Sequence, residues 1–171
     1  MPHLRVSPLD GRIMALAVAY HLGRPGSELD AVTLERHDLG LAAVQPAIEA
    51  QLDAPAVDLE LTDYQLHRLG EALLGVINEL KQFELSEGRS VVPGFAETVA
   101  RLFPEATAEH AGGALELVAH VMGLRRRLET AIREARENVE AARTAAAEEA
   151  ARTRKRWWHR WRPGRGGRTS T

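Results

Sequence analysis

The 171-residue chain has no cysteine. That removes disulfides, thiolate metal ligands and cysteine nucleophiles from consideration, and it fits a reducing cytosol. Aromatic side chains make up only 5% of the residues, so a core has to come mainly from leucine, valine and alanine. No run approaches the roughly 20 apolar residues of a membrane-spanning helix. The longest one near the start, Ile13 to Tyr20, is preceded by Arg12 and followed by His21. With Asp10 close by and no convincing cleavage site, it reads as an amphipathic first helix rather than a signal peptide.

Catalytic signatures are missing as well. There is no G-x-S-x-G, no P-loop and no glycine fingerprint between a strand and a helix, and the histidines form no defensible Ser/His/Asp set. No cofactor is implied. The expectation is a non-enzymatic protein. An enzyme or metal protein with a site between body helices is the alternative from another class.

The most informative absence concerns charge of one sign. After Glu149 there is no acidic residue, while eight of the 22 lysines and arginines fall in 150–171. The preceding 149 residues hold all 24 acids against 14 bases, a net charge of −10, beside +8 at the end. An acidic body with a basic tail points to an anionic partner for the tail. Arginine outnumbers lysine 20 to 2, which genomic base composition explains as well as function does.

What is present is mostly helical periodicity. Residues 9–22 form a short helix closed by "GRPGS" at 23–27, where Ser27 can cap the next element. A second helical region spans about 28–52, with Leu41, Val44, Ile48 and Leu52 on one face, and Pro46 kinks it or divides it in two. "DAPAVDLEL" at 53–61 alternates with period two, and "HLRVS" at 3–7 is its one candidate strand partner.

Thr62 and Gln65 then form a T-x-x-Q capping box, with Leu61 and Leu66 as hydrophobic staple. Leu66, Leu69, Leu73, Val76, Ile77 and Leu80 give the following helix a continuous apolar stripe, and it should end near Gln82 or Phe83. Residues 91–105 read as a turn and a short helix closed by Pro104.

Thr107 is placed to cap a last helix running from about 108 to 156 or beyond. Its seam includes Leu117, Val121, Leu124, Leu128, Ile132, Ala135, Val139, Ala142 and Ala146. The pairs Arg125–Glu129, Glu129–Arg133, Arg133–Glu137 and Arg136–Glu140 support it at four-residue spacing. At 1.5 Å per residue this helix is about 70 Å long. A body of ~110 residues has a radius of gyration of only about 13 Å, so the helix should project. The alanine seam suits close approach of a second copy as a coiled coil, against which stands a solvated single helix.

The expected architecture is mainly α: a small helical bundle with a long C-terminal helix and at most one short strand pair. It divides into an acidic body over 1–107, a long projecting helix over 108–153 and a basic Trp/Arg-rich tail over 154–171, disordered after Pro163.

One constellation has metal-ligand spacing: His67 with Glu71, and Glu116 with His120, each pair four apart. Both pairs lie beside the apolar stripes, and the Glu-x-x-His order of carboxylate-bridged sites is absent. A solvated pair is the plainer reading of each.

The tail carries the functional expectation. All three tryptophans lie within five positions of it. At about 100° per residue from Arg152, Trp157 falls at about 140°, Trp161 at about 180° and Trp158 at about 240°. Most of the arginines fill the remaining arc. The candidate residues are Arg154, Lys155, Arg156, Trp157, Trp158, Arg160, Trp161 and Arg162.

An anionic membrane surface suits indoles flanked by arginine, and by composition alone the segment resembles short Trp/Arg-rich membrane-active peptides. Nucleic acid is the second reading, through phosphate contacts, base stacking and the "GRGGR" end. An acidic protein is the third, and tryptophans packed in a dimer seam the blandest. The expectation is a cytoplasmic scaffold or adaptor, peripheral at the inner face of the membrane and self-associating through the long helix.

Overall fold

The computed structural model describes residues 3–24, 40–107 and 112–160, with the side chains of residues 135 and 155–160 excepted. The Ser27 cap, the first part of the expected 28–52 helix and the chain beyond Pro163 lie outside the described residues. Among the described residues the fold is mainly α: five helices accompany a single two-stranded antiparallel ribbon.

The ribbon pairs β1 (His3–Val6) with β2 (Val57–Glu60) in the register His3↔Glu60, Leu4↔Leu59, Arg5↔Asp58 and Val6↔Val57. The period-two pattern sorts the side chains as expected, with Val57 and Leu59 buried and Asp58 and Glu60 exposed. Gln51 serves the outer edge of β2. Its amide donates to the Asp58 carbonyl at 3.0 Å and accepts the Asp58 N–H at 2.9 Å, doing for β2 what a third strand does.

Helix α1 (Pro8–Gly23) starts from a Ser7 cap whose hydroxyl accepts the Asp10 N–H and donates to the Asp10 carboxylate. It is not amphipathic, contrary to expectation. Ile13, Met14, Ala15, Leu16, Ala17 and Val18 are all buried, and six consecutive residues cover more than one full turn. Small alanines let neighbours close in on the sides a hydropathy pattern leaves uncommitted. Among the described residues, three of the other four helices pack on α1.

Only a short helix, α2 (Gln45–Glu49), appears between residues 40 and 53, flanked by turns. Of the two outcomes expected at Pro46, a kink or a division into shorter helices, the described part fits the second: Pro46 sits in the first turn of α2, where its missing N–H costs nothing. Leu41, Val44 and Ile48 are nonetheless buried, and α2 lies against α1.

Helix α3 (Asp63–Leu85) has the capping box and the buried stripe expected of it and ends two residues later, at Leu85. Gln65 does more than close the box: its buried amide also donates to the Gly40 carbonyl at 3.1 Å. α3 runs alongside α1, close enough that the Tyr20 ring occupies the space a side chain at Gly75 would need. Helix α4 (Phe95–Leu102) completes an aromatic cluster, with the Phe95 ring edge-on to Tyr20 at 5.9 Å and to Phe83 at 6.1 Å.

A 3-10 turn at Pro104–Ala106 follows, closed by the Thr107 hydroxyl donating to the Pro104 carbonyl at 2.9 Å. Thr107 thus ends this turn instead of capping the last helix. That helix, α5, spans Gly113–Arg160.

The chain forms two units, residues 1–129 and 130–171. In the first, Ala114, Leu117, Val118, Val121, Leu124 and Leu128 of α5 are buried, and Arg127 pairs with Asp10 of α1. In the second, α5 continues to Arg160, and of its described side chains all but half-buried Ile132 are exposed.

Candidate functional site: the basic C-terminal segment

The second unit owes its helicity to composition. Between residues 130 and 160 there is no proline or glycine, and alanine, arginine and glutamate are all strong helix formers. Ion pairing adds little. Arg125–Glu129 forms at 2.6 Å in the first unit and Arg152–Glu148 at 3.6 Å in the second. Among the described residues, Glu129–Arg133, Arg133–Glu137 and Arg136–Glu140 form no ion pair. Exposed pairs of this kind gain so little that solvent competes on equal terms. Thr144 and Thr153 turn their hydroxyls back onto the carbonyls of Glu140 and Glu149.

The helix carries Lys155, Arg156, Trp157, Trp158 and Arg160 on its backbone. Arg154 is exposed and helical. The side chains of Lys155, Arg156, Trp157, Trp158 and Arg160, together with Trp161 and Arg162, lie outside the described residues. Cations in the closing turns of a helix also complement its negative end, a structural role that costs the segment none of its availability. Depressions along these turns are lined by Ala146, Glu149, Ala150, Thr153 and Arg154, and by Ala145, Glu148 and Arg152. These are residues of one helix and enclose no site among the described residues.

The metal-ligand candidates are placed as follows. His67 Nε2 and Glu71 Oε1 are 3.4 Å apart on the exposed side of α3, and Arg68 takes the other Glu71 oxygen at 2.7 Å. Glu116 and His120 are exposed on α5. Among the described residues, no three His, Asp or Glu side chains are grouped to hold a metal ion. Nor is any helix there long and apolar enough to cross a membrane.

Sequence reasoning missed Gln51, whose side chain bonds the Asp58 backbone across a turn, and Glu84, whose carboxylate meets the Gly112 N–H far along the chain. A mid-loop glutamine and a late-helix glutamate give no local signal of such roles.

No protein-family model, curated protein or solved structure matches the chain. A functional reading therefore rests on its own residues.

Proposed function

We propose that this protein is a non-enzymatic adaptor held at an anionic membrane surface, at the cytoplasmic leaflet, by its Trp/Arg-rich C-terminal segment. The observation that carries the reading is the segregation of charge and indole: +8 and all three tryptophans follow residue 149, beside −10 in the rest of the chain. The continuity of α5 through Arg160 supports it, because the amphipathic arithmetic of the segment presupposes a helix.

Each basic side chain near an anionic leaflet contributes about 1 kcal/mol. Several acting together, with indoles at the interface, exceed the requirement for peripheral binding even after discounting for non-additivity. The acidic remainder is repelled by the same surface, which favours contact through the basic end. Self-association through the exposed alanine seam of α5 belongs to the same reading.

All three tryptophans lie in the segment, so intrinsic fluorescence reports on it alone. Vesicles containing phosphatidylserine should shift the emission to the blue, shield it from acrylamide, and release it only in part with salt. Neutral vesicles should do neither. A response to single-stranded nucleic acid instead, with a log–log salt slope of about −5 to −7 for six to eight phosphate contacts, assigns the segment to nucleic acid.

A further inference from the structure

The two edges of the ribbon are treated differently. Asp58 gives both its N–H and its carbonyl to Gln51, on the side away from β1. In an antiparallel pair the N–H and C=O of one residue point the same way, so Asp58↔Arg5 is a non-hydrogen-bonded pair. By alternation His3↔Glu60 is another, while Leu4↔Leu59 and Val6↔Val57 carry the ladder. On β1, then, Leu4 and Val6 bond inward, and the backbone groups of His3 and Arg5 face outward. Among the described residues no hydrogen bond reaches those outward groups. One edge is covered at Asp58 by a glutamine, and among the described residues the other has no such cover.

We propose that the open edge of β1 pairs antiparallel with β1 of a second copy, about a twofold axis through Leu4, to give a four-stranded sheet. The spacing is self-complementary. With Leu4 on the axis, His3 meets Arg5 of the other copy and Arg5 meets its His3, each pair exchanging both N–H···O bonds. Leu4, half-buried on the inner face of the ribbon, then faces its own counterpart as a non-hydrogen-bonded pair, with Cα atoms about 4.5 Å apart.

Charge fits as well. Exposed edges are usually guarded by charged side chains. Here His3 Nε2 and Arg5 Nε both stand 3.9 Å from the Asp58 carboxylate, which weakens that guard. On the outer face each row across the sheet reads Asp58, Arg5, then His3 and Glu60 of the second copy, with the bases in the middle and a carboxylate at each end.

So short an edge buries far less than the 1,200–2,000 Å² of a standard stable interface. The pairing is therefore weak and concentration-dependent, and it is best trapped. It is independent of the C-terminal segment and survives the failure of the membrane reading.

The absence of native cysteine makes the full chain its own clean background. Leu4→Cys places two thiols within the Cα separation a disulfide needs, about 4.4–6.8 Å. Under mild oxidation it should form a covalent dimer several-fold faster than Val91→Cys, whose side chain is 93% exposed and reports random collision. Adding Arg5→Pro removes an outward donor only, which an edge strand tolerates, and should return crosslinking to the Val91→Cys rate. Equal rates for the two thiols, or undiminished crosslinking with Arg5→Pro, overturns the proposal.

Should Leu4→Cys lower the melting temperature, hydrogen exchange on the unsubstituted chain decides. The His3 and Arg5 amides must gain protection as concentration rises, while Leu4 and Val6 stay protected throughout. An Arg5 amide that exchanges at the same rate in dilute and concentrated samples also overturns it.

Discussion

Glu84, in the last turn of α3, accepts the backbone N–H of Gly112 at 2.8 Å across 28 residues of sequence. Gly112 stands directly before α5, its φ is 83°, and its carbonyl accepts the first helical bond, from Glu116. A glycine has no side chain with which to cap a helix. The carboxylate of another helix instead takes the cap residue's own N–H, the half of a capping box that an N3 glutamate usually supplies, and its negative charge sits beside the positive end of the α5 dipole.

Glu84→Ala should therefore destabilise the first unit by about 1–2 kcal/mol, the usual cost of a lost cap. Glu84→Gln keeps an acceptor and loses the charge, so about 0.3–1 kcal/mol is expected. Urea melts followed by circular dichroism give both values, and a Gln variant as damaged as the Ala variant argues against the dipole contribution.

Two glycines of α3 should respond in opposite directions to alanine. A Cβ at Gly70 meets nothing within 4 Å, so Gly70→Ala gains about 0.5–1 kcal/mol of helix propensity. A Cβ at Gly75 runs into the Tyr20 ring, and Gly75→Ala should lose about 1–3 kcal/mol to overpacking. Thermal melts of the pair check the packing of α1 on α3 directly. Equal shifts for the two mean that Tyr20 is not where it is described.

Asp10 should matter more than its partner. Arg127 is 61% exposed and makes one ion pair with Asp10, so Arg127→Ala should cost no more than about 1 kcal/mol. Asp10→Ala also removes the carboxylate that meets the Ser7 hydroxyl in the first turn of α1. A further contribution of about 0.5–1 kcal/mol is expected from that turn. The double variant Ser7→Ala with Asp10→Ala should show non-additivity, because the two side chains share one hydrogen-bond set.

Removal of residues 152–171 should leave the melt of the first unit unchanged. Among the described residues the buried hydrophobic side chains run from Ile13 to Leu128. The same truncation should abolish binding to phosphatidylserine vesicles in a flotation assay. Retained flotation with an intact body sinks the membrane proposal.

Local signals were legible in the sequence, and neighbour-dependent ones were not. The α3 capping box and stripe were readable because both lie within a few residues and repeat at helical spacing. The β2 alternation and its partner in β1 were readable for a similar reason, since few other segments could pair. α1 was misread as amphipathic because burial on every side depends on which helices surround it, and periodicity carries no record of that. The reach of α5 was visible as an uninterrupted run without proline, but its start was misplaced because Gly112, which precedes it, has no side chain to signal a cap. For the candidate segment, charge and tryptophan placement came entirely from composition. The structure adds the helical backbone through Arg160.

The enclosure of α1 has a consequence for how the chain fails. From Ile13 to Val18 the helix has no wet side, so that stretch cannot peel away gradually: any outward movement strips cover from several apolar residues at once. Opening is therefore all-or-none, and whatever escapes presents the stretch from Ile13 to Val18 bare to other chains. Heating at high protein concentration should give turbidity that tracks the loss of helicity, with no soluble intermediate between them.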